Sequence, residues 1–301
     1  MKKILFTLVA AIMLVGCTKV VDDGKVNVVT TVGMLADAVE NVGGDLVNVD
    51  SLMGPGVDPH LYNASAGDVK RMVGSDVVFY VGLHLEGKMI DAFEALGDKA
   101  VAVSDGLDKK KLINADPEVF GGAYDPHVWF DVDLWSEILP VIVDKLSELD
   151  PENREVYELN AKSYLSDLDS LNNWVLSRVS ELSPEQRILV TAHDAFGYFG
   201  KAYGFEVRGL QGISTASDFG VKDLEVLIDF IVERGVKAVF VESSVSPKAI
   251  EALRQGVESK KWNVEIGGEL FSDAMGDANT DEGTYVGMVR HNVNTIVNSL
   301  K

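Results

Sequence analysis

The chain has 301 residues, a formal charge of −20 and 47% apolar residues. That balance excludes nucleic acid and anionic membrane surfaces as electrostatic partners, and the length and apolar content suffice for two cores. A single cysteine excludes an internal disulfide and a thiolate metal cluster. The surplus of carboxylates suits a well-solvated acidic surface and, equally, an attraction for cations.

In chain order, Lys2 and Lys3 precede an apolar run from Ile4 to Val15, the two regions of a secretory signal and too short to span a membrane comfortably. Leu14-Val15-Gly16-Cys17 follows and resembles the bacterial lipobox, in which the cysteine carries lipid. Residues 1–16 therefore read as a lipoprotein signal peptide, Cys17 as the lipidation site and 17–25 as a tether. The protein is expected to be exported and held by its lipid on the extracytoplasmic face of a membrane, in a periplasm or at a cell surface. Short β-rich runs are expected at Val26–Thr30, Val47–Leu52, Asp76–Val81 and Lys99–Val103, with helices at Met34–Val42, Ala66–Val73 and Leu85–Leu96 between them. Uninterrupted apolar strands alternating with helices indicate a parallel sheet covered on both faces. A polar loop spans Ser104 to Tyr124, then a helix runs from about Asp131 to Leu149 with a kink expected at Pro140.

Asp150-Pro151-Glu152 opens the longest periodic segment, with Asp150 as N-cap and Pro151 at the first helical position. Apolar residues at Val156, Leu159, Leu165, Leu168, Leu171, Val175, Val179 and Leu182 recur mostly every three or four residues, the spacing of one helical face. Ser183-Pro184 ends it. The strand–helix alternation then resumes, with strands at Arg187–Thr191, Phe205–Leu210, Val236–Val241 and Val264–Ile266. Helices are expected at Ala195–Tyr203, Asp218–Glu233, Pro247–Lys260 and Thr284–Leu300. The fold class is thus α/β with two lobes, 26–149 and 184–301, each a mostly parallel sheet with helices on both faces. One long connector helix, 150–183, joins them.

Of five histidines, two occupy the same tripeptide, Asp58-Pro59-His60 and Asp125-Pro126-His127, and a third lies in Thr191-Ala192-His193-Asp194. Proline restricts the backbone just before the ring. The nearby Asp can cap a turn or accept the second ring N–H, as metal-bound histidines require. All three lie where strands give way to loops, the ligand edge of open parallel sheets. A lone loop histidine is ordinarily a surface or packing residue and Asp-Pro is common turn chemistry, so the pattern leaves shared ligation and separate surface roles both standing. The spacing fits no zinc finger, so any shared site is assembled by the fold. His84 and His291 read as solvated or packing residues. Asp194 and Glu242 are candidates to back a ligand from behind, Glu242 being equally an ordinary strand-end carboxylate.

The segments Gly56-Val57-Asp58-Pro59-His60-Leu61-Tyr62, Val81 to Glu86, Asp125 to Asp131, Thr191 to Phe199, Leu210 to Ser214, Val239 to Ser244, Gly268 to Ala274 and Tyr285 to Asn292 resemble, in order, the TroA-like solute-binding lipoproteins of bacterial zinc and manganese ABC importers. The resemblance implies four metal ligands, His60, His127, His193 and Asp273, two from each lobe around the interlobe cleft. Asp273 enters the set through the resemblance alone. It also implies a monomeric receptor that delivers a divalent metal to a membrane permease, touching the membrane only through its lipid. Three imidazoles and one carboxylate suit zinc. Manganese is harder and prefers more oxygens, and manganese-specific relatives commonly carry Glu at the position of His193. A manganese or iron receptor of the same type is the alternative, and the His-rich loop of many zinc scavengers is missing from Ser104–Tyr124. An enzyme is not expected: a zinc hydrolase using Asp273 or Glu242 as base would need a His-Glu-x-x-His or nucleophile-elbow sequence, and neither occurs. A surface adhesin role has no repeat or binding module behind it.

Overall fold

The computed structural model describes residues 24–115 and 123–301. The signal segment, Cys17 and most of the tether lie outside the described residues, as does 116–122 of the polar loop. Among the described residues no helix is long and apolar enough to cross a membrane.

The N-terminal lobe alternates β1 (Val26–Thr30), α1 (Gly33–Gly43), β2 (Val47–Ser51), α2 (Ala66–Gly74), β3 (Val77–Tyr80), α3 (Ile90–Leu96) and β4 (Ala100–Ala102). Its four strands pair in the order β2-β1-β3-β4, every pairing parallel. Val77, Val78 and Phe79 are fully buried, because consecutive side chains point to opposite faces and helices cover both. Ser65 caps α2 reciprocally with Asp68, each side chain taking the other's backbone N–H.

The segment expected as one kinked helix is two, α4 (Val132–Ser136) and α5 (Leu139–Leu149), with Pro140 in the first turn of α5. Proline is compatible with a helix start, where its missing N–H has no intrahelical partner to lose, and restarting the helix there avoids a kink.

The connector α6 (Arg154–Val179) has 26 residues, roughly 39 Å at 1.5 Å per residue. A 3-10 turn, Pro151–Asn153, precedes it. Asp150 does not cap the helix through its side chain: its Oδ2 accepts from Asn153 Nδ2 (2.7 Å) and from the Tyr157 hydroxyl (2.8 Å). The buried stripe of α6 also differs from the apolar pattern in its first half. Tyr157, Tyr164, Leu168, Leu171, Val175 and Val179 are buried, whereas Val156, Leu159 and Leu165 are exposed. The tyrosines win the core because each buries a ring while its hydroxyl finds a carboxylate. Tyr164 donates to Asp37 Oδ2 on α1 at 2.7 Å, tying the connector to the N-terminal lobe.

The C-terminal lobe comprises β5 (Ile188–His193), α7 (Gly197–Tyr203), β6 (Glu206–Gln211), α8 (Val221–Arg234), β7 (Ala238–Glu242), α9 (Lys248–Ser259), β8 (Glu265–Leu270) and α10 (Tyr285–Leu300). In place of the one sheet expected, the described residues form two two-stranded parallel sheets, β5-β6 and β7-β8; β5 packs beside β7 without a hydrogen-bonded ladder, and the spatial order β6-β5-β7-β8 follows that of the first lobe. In both lobes the chain direction across the sheet reverses beside the first strand, which opens a crevice at the carboxyl ends.

One hydrophobic core runs from the N-terminal sheet through α6 into the C-terminal lobe, and includes Phe196, Tyr198, Phe199 and Tyr285. A second core fills the space between the C-terminal sheet and α8 and α9. Aromatic rings bridge the lobes: Phe130 stacks on Phe196 with centroids 4.2 Å apart, and Trp135 lies 5.9 Å from Tyr285. A large apolar interface of this kind opposes the free hinge motion expected of two loosely joined domains.

Candidate metal centre

The crevices of the two sheets face one another, and four side chains meet there. His60 comes from the loop after β2, His127 from the turn before α4, His193 from the last residue of β5 and Asp273 from the loop after β8. Each offers one ligand atom, all within 4.8 Å of one another. His127 and His193 have no exposure, Asp273 1% and His60 5%. His60 Nε2 lies 3.3 Å from His127 Nε2. The two oxygens of Asp273 each face one imidazole, Oδ1 at 3.3 Å from His127 Nε2 and Oδ2 at 3.3 Å from His193 Nε2. His84 and His291 lie apart from this group: His84 is exposed, and His291 packs on Phe271 with Nε2 3.0 Å from the Glu269 carbonyl.

Two imidazoles are held from behind. Asp125 Oδ1 accepts the His127 backbone N–H (2.9 Å) and contacts Nδ1 at 2.7 Å. Glu242, at the end of β7, accepts the His193 backbone N–H at 2.8 Å through Oε1 and lies 2.5 Å from Nδ1 through Oε2. Both contacts leave Nε2 as the atom turned to the centre. Asp194 does neither: among the described residues no hydrogen bond links its carboxylate to an imidazole. Asp58 acts on its histidine only through the backbone, accepting the His60 N–H at 2.9 Å. Asp125 was legible in the sequence as the partner within the Asp-Pro-His tripeptide. That the same tripeptide leaves Asp58 off its own ring was not, because the difference lies in what surrounds each turn.

Burial and the surrounding carboxylates set the charges of the centre. Burial, opposed by Asp273 and helped by the positive neighbours His127 and His193, brings the His60 ring down to about 3. Burial would lower His127 too, but Asp125 and then Asp273 carry it up to about 9. His193 is likewise raised well above its ordinary value, burial being outweighed by Glu242 and Asp273. Burial alone would raise Asp273, yet the two facing imidazoliums hold its carboxyl well below the usual range. Even so, among the described residues His193 Nδ1 and Nε2, Glu242 Oε2 and Asp273 Oδ1 are buried without a well-directed hydrogen bond. Nδ1 and Oε2 face each other behind the ring, whereas His193 Nε2 and Asp273 Oδ1 face the centre, two buried polar atoms that a bound cation would satisfy. Ligand atoms about 2.0–2.1 Å from a tetrahedral ion lie about 3.3–3.4 Å apart, and the three close separations above have that length.

Residues 28–299 match the family described as the periplasmic zinc-uptake complex component A. Among characterised proteins, the chain is 50% identical to the manganese-binding lipoprotein MntA of Bacillus subtilis over 281 residues, 93% of this chain and 91% of the relative. It is also 50% identical to the zinc-binding protein TroA of Treponema pallidum over 280 residues, 92% and 90% of the two chains. The solved structure of the Treponema pallidum periplasmic zinc-binding protein superposes with a TM-score of 0.89 at 49% identity, covering 92% of this chain and 99% of that one. Equal identity to a relative named for manganese and one named for zinc leaves the choice of metal to local chemistry.

Proposed function

The chain belongs to the family of the periplasmic zinc-uptake complex component A, and from that premise we propose that it is an extracytoplasmic receptor that captures a divalent transition metal and delivers it to an ABC importer permease. His60, His127, His193 and Asp273 are the proposed ligands, zinc the preferred cargo, and Cys17 the proposed lipid anchor of a monomeric protein. The proposed lobes are residues 26–149 and 184–301, with 150–183 between them. The observation that carries this reading is the convergence of three imidazoles and one carboxylate, all buried, with His193 Nε2 and Asp273 Oδ1 unsatisfied at the centre. Four protein ligands close the shell, unlike the three ligands and open position of catalytic zinc, which favours capture over hydrolysis. Three nitrogens favour zinc over the harder manganese. Manganese or iron remains the second reading, on the specific ground that both Asp273 oxygens face the centre and bidentate ligation would raise the coordination number.

The test is the metal content of the purified chain, measured by mass spectrometry without chelator, with a zinc-against-manganese competition titration. About one ion per chain with zinc strongly preferred is expected. Comparable binding of both metals would remove the zinc preference, and no stoichiometric metal would overturn the ligand set.

A further inference from the structure

The contacts that join the two lobes differ on the two sides of the metal centre. On one side they belong to the continuous core: Trp129 Nε1 donates to the Ser272 carbonyl (2.9 Å), the Tyr285 hydroxyl to the Trp129 carbonyl (2.7 Å) and the Tyr198 hydroxyl to the Asp125 carbonyl (2.8 Å). Prying this side apart would expose packed aromatic surface, at a cost that grows with the area uncovered.

The other side is a meeting of loops. Gly54, Pro55 and Gly56 of the N-terminal lobe lie against Ser243 and the Met275–Gly283 loop, and Asp58 meets a second loop of the C-terminal lobe, 212–220, the connection between β6 and α8. That second loop has weak internal ties, Ser217 N to Ser214 O at 3.4 Å, Ala216 N to Ser214 Oγ at 3.2 Å and Gln211 Nε2 to Ser217 O at 3.4 Å. Its residues are exposed or half-buried with one exception, Thr215. The Thr215 hydroxyl donates to Asp58 Oδ2 across the cleft at 2.6 Å, while the other oxygen of the same carboxylate accepts the His60 backbone N–H. It is a side-chain hydrogen bond between the lobes set apart from the aromatic side, from the contacts of Lys111, Ile113 and Val132 adjoining it, and from the bond that Asp37 accepts from the Tyr285 backbone. The bond to an ionised acceptor is of the stronger class.

We propose that Thr215 is a positioning residue for cargo release: its bond to Asp58 latches the loop side of the cleft shut and holds the turn that aims His60 at the metal. This rests on the receptor reading above and adds to it the route of exit. His60 is the most exposed of the four converging side chains, and parting the loops withdraws it first. His127, His193 and Asp273 stay fixed on the aromatic side, through Asp125, Glu242 and the Ser272–Trp129 bond.

The experiment measures zinc release from the purified full chain by stopped flow against excess chelator, together with the association rate and zinc stoichiometry. Thr215→Val keeps the shape and removes the hydroxyl, and should release zinc about tenfold faster. Its association rate should stay within about twofold of the parent, since affinity changes within one site fall mostly on the off-rate. Thr215→Ala, which also lacks the hydroxyl, should behave alike, and Thr215→Ser should restore slow release. One bound zinc in each variant with an unchanged release rate would overturn the latch and leave the receptor reading standing. Failure of the parent chain to bind zinc would overturn both.

Discussion

The pH dependence of zinc binding follows from the protons the centre holds when metal-free. His127, raised to about 9, and His193, raised well above 6.5, both carry a proton at neutral pH in the metal-free chain, paired with Asp273. A metal needs the lone pairs those protons occupy. Binding zinc at pH 7 should therefore release about two protons, while His60, lowered to about 3, contributes none. Each displaced proton weakens binding about tenfold, or about 1.4 kcal/mol, per unit fall in pH. Two protons make about 100-fold per unit, so the apparent Kd should rise about 10⁴-fold from pH 7.5 to 5.5. The assay is competition against a chelator of known pH-dependent affinity, with calorimetry in buffers of different ionisation enthalpy to count the protons. The slope should shallow above pH 9, where His127 has lost its proton. The same linkage acts on the metal-free fold: His127 contributes stability that is fully present below its unfolded value near 6.5 and is lost as the pH rises through about 9. Metal-free Tm should accordingly fall between pH 7.5 and 9.5. A Kd constant from pH 7.5 to 5.5, or proton release near zero, would refute ligation by the two carboxylate-backed imidazoles.

Two further perturbations bear on selectivity and on the scaffold. His193→Glu replaces a borderline nitrogen by a hard oxygen, so the zinc-to-manganese affinity ratio should fall by at least about tenfold in competition titrations; an unchanged ratio would remove His193 as the determinant. Tyr164→Phe deletes the bond to Asp37 on α1 and leaves that buried carboxylate, already raised by burial, with one partner fewer. The loss of about 1.5–3 kcal/mol expected for a hydrogen bond to a charged group corresponds to roughly 3–5 °C in Tm at this chain length, taking about 2.1 cal/mol/K of unfolding entropy per residue. Zinc stoichiometry should stay at one, and calorimetry showing a Tm within 1 °C of the parent would refute the anchoring role of Tyr164.

Apolar runs mark the strands best where both faces are buried, as in β3 and β5, because such a strand must be apolar throughout; β8 runs on to Leu270, four residues past its expected end at Ile266, because Gly267, Gly268 and Glu269 carry no apolar signal. The connector was legible as a helix and misread as a surface. Its apolar letters at Val156, Leu159 and Leu165 point outward while Tyr157 and Tyr164 fill the core. Tyrosine carries both an apolar ring and a polar tip, so periodicity of apolar letters undercounts it. Pro140 was read as a kink because a sequence does not say whether a proline interrupts a helix or begins one.

The sequence by itself determined the local chemistry: alternating strands and helices, and histidines confined by proline at strand ends, each with a carboxylate close by. Three of the four converging groups were visible that way, and Asp273 only through its resemblance to relatives. What the tertiary structure decided is which carboxylate serves which ring. Asp125 turns onto His127 from two residues away, whereas His193 takes Glu242 from 49 residues on and leaves its neighbour Asp194 aside. Asp58 leaves its own ring and reaches Thr215 in the other lobe, 157 residues on. Such pairings depend on two sheets facing each other across a buried cleft, and low dielectric and exclusion of water there are what turn a loop histidine into a metal-binding group.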